Sequence, residues 1–278
     1  MEWMSLLGFG ACVPDPSFRS GLPFPAFDIN RDAIPPLLRR RTSQATQIAF
    51  SAAATACTHA RIPPAALPSI FASVAGEIQT TDLLCIELAK PEGLVSPSAF
   101  HNSVQNTAVG YWSIAQQCTQ PASALAAGND TFAMALLEAW CQLTCQGGGL
   151  LLVCYDETWS EYLAPGRGEP AFASALVLAA GSVEGSLLHI GRPHREGNAV
   201  KTRGTLPFGD NAVELTRHSG MDRRNLSYRD VLGPHHPWNL GSGDPCRNDG
   251  GNLHATALPP LPPVGQREAS RCWSGCGR

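Results

Sequence analysis

Short apolar segments alternate with helical patterns along the first 190 residues, and this alternation restricts the possible fold more than any other feature. Five segments have the length and composition of buried strands. They are Trp3 to Val13, Ser69 to Val74, Ala122 to Ala127, Leu150 to Tyr155 and Ala173 to Ala179. Strands that alternate with helices predict an α/β fold, in which a mostly parallel five-stranded sheet is covered by helices on both faces.

The segments between these strands show helical spacing of apolar residues. A first helix begins near Thr42 or Ser43, and either hydroxyl can cap it. A second runs from Thr80 to Ala89, with Thr80 or Thr81 as its cap, and a third runs from Asp130 to Cys145. Between them, residues 96–117 begin as a loop and continue as a helix rich in small residues.

The composition changes near residue 195, after which Gly, Pro, Arg, His and Asn dominate. No later apolar run is long enough for a core element, so we predict a domain over residues 1–195 and an irregular or disordered tail over 196–278. Within this tail a helix is expected around Asn211 to Arg217, and LPPLPP (Leu258 to Pro263) is a candidate polyproline II ligand. Out-of-frame coding sequence is the alternative explanation for so abrupt a change.

Charge and hydropathy exclude several classes of protein. The net charge is -3 and no basic stripe is present, so nucleic acid is not an expected partner. No run of 18 apolar residues occurs, so no membrane span is expected. The ten cysteines are scattered through apolar segments and resemble small buried hydrophobes of a reducing compartment, which predicts a cytoplasmic protein. Examples are Cys57, Cys85, Cys118, Cys141 and Cys154.

Cysteine and histidine spacing gives no convincing metal site. Cys141 and Cys145 stand four residues apart on a helix but lack a third ligand. The tail holds a second set, whose spacing matches no common zinc module: Cys246, His254, Cys272 and Cys276. We therefore predict neither a metal nor another cofactor.

Three segments carry a family resemblance. They are LRRRTSQATQIAFSAA (Leu38 to Ala53), IFASVAGEIQTTDLL (Ile70 to Leu84) and LVSPSAFHNSVQNTAVGYWSIA (Leu94 to Ala115). In this order and spacing they resemble the β-ketoacyl synthase-like N-terminal domain family of the thiolase superfamily, over roughly residues 1–190. The pairing of SPSAF with SVQN is the most specific part. The resemblance implies a three-layer α/β/α half-domain, two of which normally build one synthase.

The resemblance also shows what is missing. The family places a nucleophilic cysteine at a tight turn between a strand and a helix, where the helix dipole and backbone N–H groups activate it. The matching position here falls on Gly128 or Asn129, neither of which can carry an acyl group. The family's two catalytic histidines belong to a second half-domain whose motifs are absent, and His235 and His236 lack the matching context. His101, although inside a family segment, is expected to be structural.

A chain of this kind resembles the chain length factors, which are non-catalytic subunits. The resemblance implies a heterodimer with an active β-ketoacyl synthase in fatty-acid, polyketide or aryl polyene biosynthesis, with acyl carrier protein as a further candidate partner. In the superfamily the strand before the elbow and the small-residue helix lie near the dimer interface, here Ala122 to Ala127 and Asn106 to Gln116. Interface candidates are Asn106, Tyr111, Trp112, Ser123 and Leu125. The alternative for Tyr111 and Trp112 is that both fill the core.

Two other functional hypotheses stay open at this point. One is an acyltransferase or decarboxylase that acts on an acyl thioester without a cysteine, using Asn129 and nearby N–H groups to bind the thioester carbonyl. The other is a remnant without a biochemical role, because half of a thiolase fold is expected to leave a large face uncovered.

Overall fold

The computed structural model describes residues 1–165, 169–196, 199–205 and 212–216. All five predicted strands form, and four further strands follow them. The strands are β1 (Trp3–Cys12), β2 (Ser69–Ala72), β3 (Ala122–Leu125), β4 (Gly149–Asp156), β5 (Phe172–Ala180), β6 (Leu188–Gly191), β7 (His194–Glu196), β8 (Ala199–Thr205) and β9 (Ala212–Thr216). They form one nine-stranded sheet in the order β3-β2-β4-β5-β1-β6-β8-β7, with β9 also paired to β8.

The α/β prediction is confirmed, but the prediction that the sheet is mostly parallel is wrong. Strand β2 runs parallel to β3 and β4, whereas β4–β5, β5–β1 and every further pair in the described sheet are antiparallel. No helical pattern separates β4 from β5, and a loop without a crossover returns the chain antiparallel. Strands buried on both faces read as continuous apolar runs whatever their direction, so the sequence pattern could not reveal this.

Helices cover both faces of the sheet. The helices are α1 (Pro16–Arg19), α2 (Pro36–Arg39), α3 (Gln44–Ala60), α4 (Ile78–Leu88), α5 (Pro97–Asn102), α6 (Thr107–Ala115) and α7 (Thr131–Gln146). Ser43 caps α3 as predicted, since its Oγ accepts the Thr46 N–H at 3.1 Å. Helix α4 begins earlier than predicted, after Glu77, whose own side chain does not cap the helix. The single helix expected within 96–117 is the pair α5 and α6.

The sheet separates two apolar cores because successive strand residues point to opposite faces. In β4, Leu151, Val153 and Tyr155 pack with α3 and α6, whereas Leu150 and Leu152 pack with α7. Every residue of β4 after Gly149 is buried. The strongly apolar run in this part of the sequence is therefore a consequence of two covered faces.

Helix α3 lies so close to β1 that the backbones of the two elements are in contact. A Cβ atom added to Gly10 would be 2.3 Å from the Ala52 carbonyl oxygen, and one added to Gly8 would be 2.3 Å from that of Ala56. Real Cβ atoms do not approach an oxygen so closely, so only glycine allows this contact.

The same helix is covered on its far side by other parts of this chain. Ile34 is fully buried against the α3 core, and Ile29 and Leu38 pack on it from the segment before the helix. Helix α6 adds the fully buried Trp112. The expectation of a large uncovered face therefore does not apply to α3, whose own N-terminal flank provides the cover.

Regular structure continues past residue 195. Strand β8 pairs with β6, and β9 pairs with β8, so 199–205 and 212–216 are not irregular. The helix expected around Asn211 to Arg217 is wrong, because β9 occupies most of that segment. The boundary at residue 195 stays a prediction, and LPPLPP, His235 and His236 lie outside the described residues. Within the described part of the chain, no helix is long and apolar enough to span a membrane.

The glycine contact between β1 and α3 predicts opposite effects for two glycine-to-alanine changes. We expect Gly10→Ala to lower the free energy of unfolding by about 2 kcal/mol or more, because the added methyl group must displace the α3 backbone. The matched control is Gly110→Ala. Gly110 is on the exposed face of α6, where an added Cβ meets nothing within 4 Å, so this change should raise the free energy of unfolding by about 0.5–1 kcal/mol. Urea denaturation measures both, and equal effects would contradict the packing argument.

Candidate functional site

The strand–turn–helix that matches the catalytic elbow lies at one edge of the sheet. Strand β3 pairs with β2 alone among the described strands, and its residues alternate between exposed and half-buried. A 3-10 turn, Gly128–Asp130, then leads directly into α7. Gly128 has a φ of 53°, a left-handed conformation that glycine adopts without strain. The segment therefore has the shape of a nucleophile elbow.

Thr131 holds this turn in place. Its Oγ accepts the Ala127 N–H at 3.0 Å and donates to the Gly128 carbonyl at 2.7 Å, and Asp130 N–H donates to the Ala127 carbonyl at 3.1 Å. The Thr131 side chain is fully buried, while Gly128 and Asn129 are exposed. The sequence pattern did not identify Thr131 as important, although a hydroxyl residue in the first turn of a helix often forms hydrogen bonds with the nearby backbone.

Neither residue at the matching position could be acylated. Gly128 has no side chain, and the carboxamide of Asn129 is not a nucleophile. Cys118 precedes β3 and is buried, with its thiol 3.6 Å from the carbonyls of Ala65 and Leu67. Cys141 lies about 15 Å along α7 from the turn, given the helical rise. Neither of these two cysteines, which are the nearest to the turn in the sequence, therefore lies at it.

The remaining described cysteines divide into two groups. Burial raises the pKa of Cys12 and of Cys57 to about 12, and it also raises the pKa of Cys154, so these thiols remain protonated. The prediction that the cysteines are buried hydrophobes is correct for these residues and for Cys118, but wrong for three other described cysteines. Cys85, Cys141 and Cys145 are exposed, because each lies on the outward face of its helix. No group of metal-ligating side chains occurs in the parts of the chain that the structure describes.

Asn102, in the most specific of the three family segments, has a structural role. Its side-chain Nδ2 donates to the Arg41 carbonyl, and its Oδ1 accepts from the Tyr111 hydroxyl at 2.9 Å. Its backbone carbonyl accepts from Thr107 Oγ at 2.9 Å. The residue therefore joins α5 and α6 to the segment before α3. The exposed His101 only touches the Tyr111 ring, with ring centroids 6.2 Å apart.

Two of the five interface candidates belong to the core instead. Trp112 has no exposed surface and packs edge-on against Phe50 at 5.2 Å, and it contacts Phe71 at 6.1 Å. Tyr111 is buried as well, with its hydroxyl bound to Asn102. Both belong to the inner face of α6, so the prediction that they anchor a partner is wrong and the core-filling alternative describes them.

The outer face of α6 is different. Asn106, Gly110 and Ile114 follow one another at intervals of four residues and are all exposed, Ile114 by 68%. Helix α6 packs beside β3, whose outward residues Ala122 and Ala124 are exposed. We call these five residues the β3–α6 surface. Three of the five side chains are alanine or glycine, and among the described strands only β2 pairs with β3, so its other edge has no strand beside it.

The other interface candidates take intermediate positions. Ser123 and Leu125 are half-buried on the inward side of β3, and Leu125 packs on the α7 core. The candidates chosen from the sequence lie on these same elements, but Tyr111 and Trp112 are on the buried face of α6. The i, i+4 spacing of Asn106, Gly110 and Ile114 was a signal that could have identified it.

Comparisons with known proteins agree with this geometry. The sequence profile described as "Beta-ketoacyl synthase, N-terminal domain" matches residues 18–229. No curated protein matches the sequence significantly. Among solved structures, a complex of the ketosynthase ApeO with its chain length factor ApeC from Xenorhabdus doucetiae matches with a TM-score of 0.55 at 20% identity, over 68% of this chain and 82% of that chain.

Two other structures match in the same region. A β-ketoacyl synthase from Burkholderia phymatum STM815 has a TM-score of 0.54 at 12% identity, over 68% of this chain and 63% of that one. The ishigamide ketosynthase/chain length factor has a TM-score of 0.52 at 16% identity, over 68% of this chain and 65% of that one. These likenesses show a thiolase-like ketosynthase fold. Together with the profile match over more than half of its length, they establish that the chain belongs to the β-ketoacyl synthase N-terminal domain family.

Proposed function

We propose that this chain is a non-catalytic ketosynthase-like subunit that pairs with an active β-ketoacyl synthase. The observation that carries the proposal is the elbow, which keeps its turn and helix but holds Gly128 and Asn129 where an acylated cysteine is required. An elbow that keeps its shape but has no nucleophile does not accept an acyl group, and it can still form part of a binding surface. Fatty-acid, polyketide or aryl polyene biosynthesis is the context proposed for the pair, with acyl carrier protein as a second partner.

The β3–α6 surface is the proposed site of pairing. An uncovered edge strand is prone to add a strand from another chain, and natural proteins usually block such edges with charge or proline. Here β3 has the sequence Ala-Ser-Ala-Leu, without either device. Gly110 and the alanines allow close backbone approach, while the exposed Ile114 supplies apolar area.

The size of one structural relative supports this arrangement. The alignment with the ApeO–ApeC complex covers a larger share of the matched chain than of this one, so that matched chain is the shorter of the two. A chain of this length is therefore long enough to form part of a ketosynthase–chain length factor complex. Length alone is then no argument against a subunit role.

Affinity purification of the tagged full-length chain from its native host tests the pairing. We expect a ketosynthase to co-elute at about one-to-one stoichiometry. Ile114→Glu should weaken this association by about tenfold or more, because the new carboxylate would be buried without a partner. Leu187→Glu is the matched control: Leu187 is also exposed, but it precedes β6, five strands away from β3.

The association would be placed elsewhere if Ile114→Glu left the yield of ketosynthase unchanged, or if Leu187→Glu reduced it equally. Circular dichroism of both variants checks that each remains folded. A soluble chain that recovers no ketosynthase, or one that condenses acyl and malonyl carrier-protein substrates alone, would refute the proposal.

A second candidate function uses the elbow as a binding site. Asn129 is exposed at the start of α7, where backbone N–H groups and the helix dipole favour a developing oxyanion. An acyltransferase or decarboxylase acting on a thioester without a cysteine is consistent with this position. Under this hypothesis Asn129→Ala should lower thioester turnover by about 100-fold. An unchanged rate, or no turnover by the unmodified protein, would leave the subunit hypothesis in place.

A further inference from the structure

Three acidic side chains are buried where the parallel strands β2 and β4 end. Glu77 is 1% exposed, Glu157 3% and Asp156 4%. Buried carboxylates are costly unless they receive hydrogen bonds. Asp156 meets this requirement, because it accepts from the Ser73 hydroxyl at 2.6 Å and from the Val74 N–H at 3.0 Å. The two glutamates are less completely satisfied.

Glu157, the residue that follows β4, lies at the start of α4. Its Oε1 accepts the Gln79 N–H at 2.8 Å in the first turn of that helix. The N–H groups at the start of a helix have no partner within the helix, so Glu157 provides α4 with a cap from outside it. The backbone of Ala45, in the first turn of α3, also favours the ionised form of this carboxyl group.

Glu77 immediately precedes α4 and reaches toward α3. Its Oε1 accepts from the Thr46 hydroxyl at 2.6 Å. Its Oε2 is buried and has no hydrogen-bond partner among the described residues. Burial raises the pKa of Glu77, and the hydroxyls of Ser43 and Thr46 oppose this increase.

The charged groups that face Glu157 are all acidic. Burial is the main cause that raises its pKa, from an ordinary value of 4.5 to about 7, and Glu77 and Asp156 add to the increase. The hydrogen bonds from Gln79 and Ala45 oppose it. The neighbouring Tyr155 responds in the same way, because burial and all three carboxyls raise its pKa.

Helix α4 depends on this region for its attachment. Only Asp82 and Leu84 of the helix are buried, and Asp82 accepts from the Ser160 hydroxyl at 2.6 Å. The Gln79 side chain adds a bond to the Thr158 carbonyl at 3.0 Å. In contrast, three large apolar side chains of the same segment face outward: Leu83, Ile86 and Leu88. Polar contacts with residues 157–160 therefore contribute to holding α4 on the protein.

We infer that Glu77 and Glu157 form a pH-sensitive latch. It holds the start of α4 while at least one of the two carboxyl groups is protonated, and it loosens when both are ionised. A carboxyl group whose pKa is raised on folding stabilises the folded form below its unfolded value, here 4.5. That contribution is lost as the pH rises through about 7. The latch therefore closes on the acidic side of neutrality.

Hydrogen–deuterium exchange of the full-length chain at pH 5.5 and pH 8 tests the latch, with rates corrected for intrinsic pH dependence. Protection of α4 should fall by roughly 25-fold between the two conditions, which is the linkage expected for the Glu157 shift. Glu157→Gln keeps a hydrogen-bond acceptor but cannot ionise, so its α4 protection should change by less than about threefold. Glu77→Gln should reduce the dependence as well.

Glu138→Gln is the control, since Glu138 is on α7, where its Oε1 accepts from the Gln142 side chain at 2.8 Å. It should retain the full pH dependence, and peptides of α7 should show little change in any variant. The latch is refuted if α4 protection in the unmodified chain is constant with pH. It is also refuted if both glutamine variants retain the unmodified dependence, and Glu77→Gln decides the matter should Glu157→Gln fail to fold.

Discussion

Helix α3 and strand β1 pack with their backbones in contact, and the rest of the fold is arranged around this contact. Gly8 and Gly10 leave room for the helix, so the strand and the helix form one buried unit. Strands β5 and β4 extend the sheet from β1, and α3 packs across all three. The segment before α3 and helix α6 then cover its outer side. The helix is thus enclosed by other parts of its own chain.

The same enclosure determines what remains on the surface. Because α6 turns Trp112 and Tyr111 inward to cover α3, its opposite face carries Asn106, Gly110 and Ile114. Helix α6 also packs beside the edge strand β3, which leads into the Gly128–Asp130 turn. A partner at the β3–α6 surface would therefore lie close to this turn.

A second region of the protein is stabilised in a different way. At the carboxyl ends of β2 and β4 the protein buries acidic groups and exposes leucine and isoleucine on α4. Buried carboxyls close together cannot all ionise at low cost. The arrangement makes the attachment of α4 depend on protons, whereas the attachment of α3 depends on apolar packing. Helices α3 and α4 therefore differ in what stabilises them.

The sequence by itself determined the five central strands, the α/β class, the Ser43 cap and the lack of a thiol at Gly128 and Asn129. These features depend on local pattern or on residue identity, which a linear sequence displays directly. Strand direction, the inward face of Trp112 and the exposure of Cys85 were decided by the tertiary structure. A strand buried on both faces looks the same in either direction, and an aromatic residue suits a core as well as an interface. The meeting of Glu77 and Glu157 likewise required the fold, because only the sheet brings residues eighty positions apart to the same two helix ends.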